Sequence, residues 1–298
     1  MLSGYSVENV LPVLYNAVVI IDFHTHVVSP KIKNNRSYYV ERDACFRLLY
    51  AQPVAKLVTA EEIIAHMDEC CVDKSVILNL GWQSHEMCVE TNDYILESTA
   101  KYPQRLIGFC AIQPLADEKA IAEIERCAQC GAKGLGELRP DVQGFNLTDS
   151  ERLGSVIEAI IANNLIALIH ASEPVGHEYI GKGEVTPDVV YKFIKNFPEL
   201  KLVCAHWGGG LPFYALMPEV KKAFANVYFD TAATPLLYVP DIFYYATKIL
   251  GNDKVLFGSD YPLLSQKRIL AQIEYVDLSD EDKANILGEN AARLLFPS

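Results

Sequence analysis

No stretch of the chain reaches the roughly 18 consecutive apolar residues that a membrane-spanning helix needs, so nothing in it is a transmembrane candidate. The first residues, MLSGYSVENVLPVLYNAVVIIDF, lack the basic start, unbroken apolar run and small-residue cleavage site of a secretory signal. Positive charge is short: 26 Lys and Arg face 38 Asp and Glu, for a formal net charge of -12. That balance disfavours a broad electrostatic attraction to nucleic acid or to an anionic membrane surface. No composition break divides the chain into two domains, and there is no close internal repeat. The pair Cys127-x2-Cys130 has no second pair beside it, so a zinc ribbon or redox motif is not expected. A chain of 298 residues with 8 cysteines, several inside apolar patterns, has no need of disulfide staples. A reducing cytoplasm is the expected setting.

What the chain does contain is core material, at 50% hydrophobic and 21% charged residues. Short apolar runs alternate with helical stretches, the pattern of repeated βα units. The predicted strands are Val18–Phe23, Ser75–Leu80, Arg105–Ile112, Ala132–Glu137, Leu165–Ile169, Lys201–Ala205, Val227–Phe229 and Lys254–Phe257. Runs such as VVII, LIALI and KLVCA are apolar throughout, as expected of strands buried on both faces of a barrel wall. Ala60–Cys71, Asp117–Cys130, Ser150–Asn163, Pro240–Leu250 and Ser279–Leu295 are long enough for crossover helices, with Ser279 an N-cap for the last. The fold class is therefore α/β: one (β/α)8 TIM barrel over residues 1–298 with an extended first βα loop. That loop, residues 27–59, is predicted to be a lid or substrate-binding insertion. It carries Lys31, Lys33, Arg36, Arg42, Arg47 and Lys56 against only Glu41 and Asp43, and could draw in an anionic substrate. The alternative is a solvated excursion or subunit contact, with Tyr38, Tyr39 and Phe46 closing a pocket or packing a satellite core.

The candidate chemistry sits at strand ends. Asp22-Phe23-His24-Thr25-His26 closes the first strand, and residues two apart on a strand point the same way, so His24 and His26 can aim both imidazoles at one point. His170 ends the fifth strand in LIALIH and His206 follows the sixth in KLVCAH. Glu137 ends the fourth in AKGLGEL, and Asp260 follows the eighth in KVLFGSD. The C-terminal ends of barrel strands are where such enzymes collect catalytic residues. Four histidines and two carboxylates suit a divalent cation, zinc first, with manganese or iron tolerated. Arg139 can take a substrate carboxylate with two hydrogen bonds or serve a structural ion pair. His177 and Lys182, in the loop after strand five, are further pocket candidates. Gly208-Gly209-Gly210 permit unusual dihedrals but do not form a nucleotide-binding fingerprint.

The ordered set IDFHTH, GELRP, LIALIHASEP, CAHWGGG, FGSD and ILGENAARLLF resembles the amidohydrolase superfamily. Within it, the set is similar to the barrels grouped with aminocarboxymuconate-semialdehyde decarboxylase. The resemblance implies that His24, His26, His170 and Asp260 hold one metal and that His206 contacts substrate or activated water. Glu137 resembles the strand-four carboxylate of TatD-like hydrolases. There such a residue joins two metals, and the residues matching His170 and His206 help hold the second. One or two ions are thus implied, and a homodimer is the family's habit.

Two reactions follow. The first expectation is hydrolysis of an amide, ester or lactone bond in a small carboxylated compound, with Asp260 accepting the proton of water and His206 stabilising the oxyanion or protonating the leaving group. The alternative is non-oxidative decarboxylation of an aromatic or unsaturated carboxylic acid, with a single metal anchoring the substrate. Two bridged ions favour the first and one ion favours the second.

Overall fold

The structure is a computed structural model that describes residues 18–297. The reading of the extreme N-terminus, and the part of the single-domain span before Val18, lie outside the described residues. Eight parallel strands run in the order β1 to β8: β1 Ile21–His26, β2 Lys74–Leu78, β3 Leu106–Cys110, β4 Gly134–Leu138, β5 Ile166–Ile169, β6 Leu202–Cys204, β7 Val227–Asp230 and β8 Val255–Leu256. The seam between the last and first strands closes through Phe23 N–H to Phe257 C=O (2.7 Å) and His26 N–H to Tyr261 C=O (2.7 Å). The architecture is the predicted (β/α)8 barrel. Among the described residues no helix is long and apolar enough to cross a membrane.

Alternation along the strands builds two cores. Ile21, Phe23, Val76, Leu78, Ile107, Phe109, Ile166, Leu168, Val203 and Ala205 form one cluster inside the barrel, joined by Leu294 and Leu295 of the last helix. Their neighbours of opposite parity, such as Ile77, Cys110, Ala167, Ile169, Leu202 and Cys204, pack outward under the helices. Sequence spacing located the helices closely. Ala60–Cys70 begins at a capping box, Thr59 with Glu62, and Ser279 caps Asp280–Ala284. The last predicted helix is interrupted by one wide turn, Asn285–Glu289. There Gly288 lies so close to the carbonyl of Val19 that a side chain would collide with it, and the Ile286 carbonyl turns aside to accept from Phe257 N–H (2.8 Å). All eight cysteines are free thiols.

The excursion after β1 is folded. It contains helices Pro30–Asn34, Arg36–Arg42 and Ala44–Tyr50, and its two ends meet where Val28 N–H donates to Val58 C=O (2.8 Å). A satellite core of Val28, Ile32, Tyr39, Cys45, Phe46, Tyr50 and Leu57 packs on Leu80, Trp82, Cys88 and Ala111. Phe46 stacks on Trp82 at 5.5 Å between ring centroids. Tyr38 stays half exposed, with Arg42 over its ring. Several basic side chains of the segment are engaged locally. Lys31 pairs with Glu90 (2.7 Å), Lys33 pairs with Glu62 (2.5 Å), and Arg36 donates to the carbonyls of Gln52 and Ala55. Arg42 donates to Tyr38 C=O, and Arg47 donates to the carbonyls of Val40 and Glu41. These five bind the excursion to itself and to the barrel.

Candidate metal centre

Six proposed ligands from five strand ends converge above the barrel mouth. Two departures from regular pairing help aim them. The β1 register shifts between Asp22 and Thr25, and the β4 register shifts between Leu135 and Leu138, so irregularity falls beside His24 and His26 in one strand and Glu137 in the other. After β6, His206 and Trp207 both have positive φ, 55° and 57°, and Gly208, Gly209 and Gly210 continue the left-handed turn. That conformation costs an L-residue about 1–2 kcal/mol, and at Gly209 a side chain would also strike the Ser172 backbone. The glycine run therefore exists to turn the chain sharply behind His206. Asp260 has φ of 65° as well, with its N–H held by the His24 carbonyl (2.9 Å).

The donor atoms lie close together. Nε2 of His24 faces Nε2 of His26 at 3.1 Å, and Asp260 Oδ1 lies 3.7 Å from the first and 3.5 Å from the second. Glu137 Oε2 lies 3.9 Å from His26 Nε2, while its Oε1 contacts His170 Nδ1 at 2.8 Å and His206 Nε2 at 3.4 Å. Among the described residues, triads whose ligand atoms all lie within 4.8 Å of one another include His24 with His206 and Asp260, His24 with His26 and Glu137, and Glu137 with His170 and His206. His170 is thus grouped with Glu137 and His206 rather than with His24 and His26, and its Nε2 is 3.2 Å from Ser172 Oγ. Two imidazole nitrogens facing each other at 3.1 Å gain nothing from one another unless one is protonated. A shared divalent cation satisfies both, and spacings of 3.1–3.9 Å are what four donors each about 2.0–2.2 Å from a common ion require. The residues fit a divalent metal.

Burial and charge act against each other here. Burial disfavours the charged form of His24, yet Asp230, Asp260 and Glu137 outweigh it and raise its pKa to about 10. For His170, burial and the Arg139 cation prevail over Glu137 and lower it to about 4. Burial works against ionised Glu137, but His170, His206 and His24 hold its carboxyl well below the ordinary range. Asp260 is likewise lowered against burial by His26, His24 and His206. A net excess of carboxylate over imidazolium is what a cation site presents.

Arg139 is almost wholly buried at 2% exposure. It donates to Gly181 C=O (2.6 Å), stands 3.9 Å from Asp141, and leaves Nε without a partner. Its ion-pair partner in the structure is Asp141. His177 is not brought to the cluster: it is exposed, its ring 5.5 Å from that of Tyr179. Lys182 bonds Glu178 (3.0 Å) in the same loop. Two clefts, of about 500 Å³ beside Asp117 and Arg152 and about 570 Å³ beside Asp68 and Arg105, lie among outer helices away from the histidines.

Two residues of the centre escaped the sequence reading. Asp230 Oδ2 takes Nδ1 of His24 at 2.8 Å. It is the acid that directly follows the apolar part of β7, the same signal that singled out Asp260 one strand later. Tyr50, on the last helix of the excursion, is 8% exposed and lies within the field of Asp260 and Glu137; burial first, and then those charges, push its hydroxyl above the usual range. No periodicity marks it, because the folding of the excursion brings it within that field.

A (β/α)8 barrel with a buried cluster of imidazoles and carboxylates at the C-terminal ends of its strands is a metal-dependent enzyme. The amidohydrolase family model matches residues 21–296, and the chain belongs to that family. It is 25% identical to 2-amino-3-carboxymuconate-6-semialdehyde decarboxylase of Dictyostelium discoideum, over 92% of this chain and 91% of that one. Among solved structures it superposes on 5-carboxyvanillate decarboxylase of Sphingomonas paucimobilis with TM-score 0.79 at 21% identity, covering 94% of this chain and 99% of the other. The 5-carboxyvanillate decarboxylase of Novosphingobium aromaticivorans, complexed with manganese and 4-hydroxy-3-methoxy-5-nitrobenzoic acid, superposes with TM-score 0.77 at 20% identity, over 94% and 96%. These superpositions attest the fold. The cofactor is a divalent metal, and the expectation of zinc in particular has no support from the relatives.

Proposed function

We propose that the protein is a metal-dependent, non-oxidative decarboxylase of a small aromatic or unsaturated carboxylic acid. The observation that carries this reading is the convergence of His24, His26 and Asp260 donors, 3.1–3.7 Å apart, beside His206, in a chain related over its length to a decarboxylase. The earlier first expectation, hydrolysis, yields to its alternative.

His24, His26 and Asp260 would hold the ion, with Glu137 or His170 completing its shell. When bound, it supplies a Lewis-acid charge that orients the acid and stabilises developing negative charge. The remaining chemistry falls to side chains. His206 Nδ1–H donates to Ala232 C=O (3.2 Å); burial disfavours the charge of the ring, but Glu137 and Asp260 outweigh that and favour the imidazolium, whose Nε2–H is turned into the centre to deliver a proton to the carbon that loses its carboxyl group. The C–C bond then breaks, CO2 leaves, and the bonding pair returns to the ring or double bond. Asp260 would serve as ligand beside His24 and His26. Arg139, buried with its Nε unpartnered, holds an anionic substituent of the substrate. Residues 27–59 act as a roof over the pocket, within one domain. His177 is at most a rim contact.

A second reading rests on Glu137, whose two oxygens face opposite halves of the cluster, Oε2 toward His26 and Oε1 toward His170 and His206. If Glu137 served two ions, zinc among them, as the TatD-like resemblance implies, hydrolysis would be the reaction. The test is to load metal-free protein with manganese and offer a panel of hydroxy- and carboxy-substituted benzoates and unsaturated dicarboxylates, following CO2 release. CO2 formation without hydrolysis of amide or lactone controls supports the decarboxylase. Hydrolysis with no CO2 from any acid sinks it.

A further inference from the structure

We propose that Asp230 is a positioning residue that joins the metal-holding imidazole of His24 and the backbone of His206 into one unit. The inference rests on the reading of His206 as the proton-handling group. Asp230 is fully buried, and each of its oxygens is committed. Oδ2 accepts from His24 Nδ1 (2.8 Å), and Oδ1 accepts from the backbone N–H groups of His206 (3.0 Å) and Ala232 (3.0 Å).

A carboxylate only accepts, so Nδ1 of His24 keeps its proton, and Nε2 is the nitrogen that can give up its own and offer a lone pair to a cation. The second arm works on the chain. His206 lies at φ 55°, a conformation its side chain resists, and the bond from its N–H to Asp230 pins it there. The same Oδ1 fixes the Ala232 peptide, whose carbonyl accepts from His206 Nδ1 (3.2 Å) and so directs Nε2 at Glu137. Room for this junction comes from Gly258. A Cβ there would stand 2.9 Å from His24 Cβ and 3.3 Å from Asp230 Cβ, so only glycine lets the two side chains meet. Asp260 follows two residues later, which puts the junction directly beneath the metal donors.

Two variants separate the arms. In Asp230→Asn the amide oxygen can keep the backbone bonds, but the amide NH2 faces His24 Nδ1 and drives that ring to the wrong tautomer. Manganese affinity, measured by titration calorimetry, should fall about 10- to 100-fold. Asp230→Ala loses both arms. At saturating manganese its kcat on the best acid of the panel should drop at least about tenfold below that of Asp230→Asn, with KM within about threefold. In a His206→Asn background the same change should leave kcat no lower than His206→Asn alone, because the arm acts through His206. Wild-type manganese affinity in Asp230→Asn, or a kcat loss that persists in the His206→Asn background, overturns the proposal. If the wild-type protein releases no CO2, the decarboxylase reading fails separately. The calorimetry then still reads the His24 arm. The His206 arm is read by NMR of the zinc-loaded protein, where the His206 Nδ1–H signal should be protected in wild type and exchange rapidly in Asp230→Ala; equal protection in both overturns it.

Discussion

Glu137 and His170 meet side chain to side chain, Oε1 to Nδ1 at 2.8 Å, both buried. That contact bears on how many ions the centre can take. Outside that pair, Nε2 of His24, Nε2 of His26 and Oδ1 of Asp260 lie 3.1–3.7 Å from one another. One equivalent of metal per chain is therefore expected from elemental analysis of protein purified without chelator. Glu137→Gln should keep that equivalent with affinity reduced about 10- to 100-fold. Loss of one of two equivalents in the variant would instead establish the bridging role.

Removing the metal should abolish turnover and lower thermal stability together. A ligand at 100 times its Kd stabilises the folded chain by about 2.7 kcal/mol, so dialysis against chelator should lower Tm by several degrees. Adding manganese back should restore both. Unchanged Tm and full activity after verified metal removal would contradict a metal-dependent centre.

Gly209→Ala should be among the most damaging single-methyl additions in the protein. The position combines φ of 63° with a collision against the Ser172 backbone. The left-handed penalty alone is about 1–2 kcal/mol, and relief of the collision must move His206 or β5. Denaturant unfolding should register a loss of at least about 2 kcal/mol, and activity should fall in whatever fraction remains folded.

Trp82→Ala tests the attachment of the excursion. Truncating a buried tryptophan typically costs about 3–5 kcal/mol. Here the loss falls on the Phe46 stack and the satellite core, so protease should cut within residues 27–59 first. KM for the acid substrate should rise more than metal affinity falls. Equal sensitivity of barrel and excursion to protease would argue that the two unfold as one.

Acid stability has an identifiable contributor away from the metal. Burial works against ionised Glu123, yet hydrogen bonds from Arg126 and Asn92 hold its pKa below the ordinary glutamate value. A depressed folded-state pKa contributes stability that is present above the unfolded value, about 4.3. It is lost as pH falls through the folded value. Glu123→Gln should therefore flatten the stability profile below about pH 4.5, and chemical denaturation across that range checks it.

Most of the barrel was legible because both of its signals are local. Apolar runs of strand length and the amphipathic stretches between them fix the order of elements, and the acids and imidazoles that end those runs mark the catalytic face. The excursion was less legible. Its helices are of five to seven residues, too short for a clear 3.6-residue period, and its basic residues read as a lure for anions when several serve as local straps. The break at Asn285–Glu289 could not be foreseen, since it depends on Gly288 meeting Val19 from the other end of the chain. Division of the ligands between Glu137 and His170 is also a property of three dimensions, because one strand-end side chain must yield to another.

The hydrogen bond from Val28 to Val58 means that the excursion leaves and rejoins the barrel at nearly the same point. Its apolar base is shared with Trp82 and its charge pairs reach Glu62 and Glu90, so it is a lobe with one backbone entrance seated on the barrel. Such a segment can vary in its outer residues as long as the base that seats it on Trp82 is kept. Descendants of one ancestral barrel could thus have kept their metal chemistry while varying those outer residues to change what they accept, and the protein engineer has the same freedom.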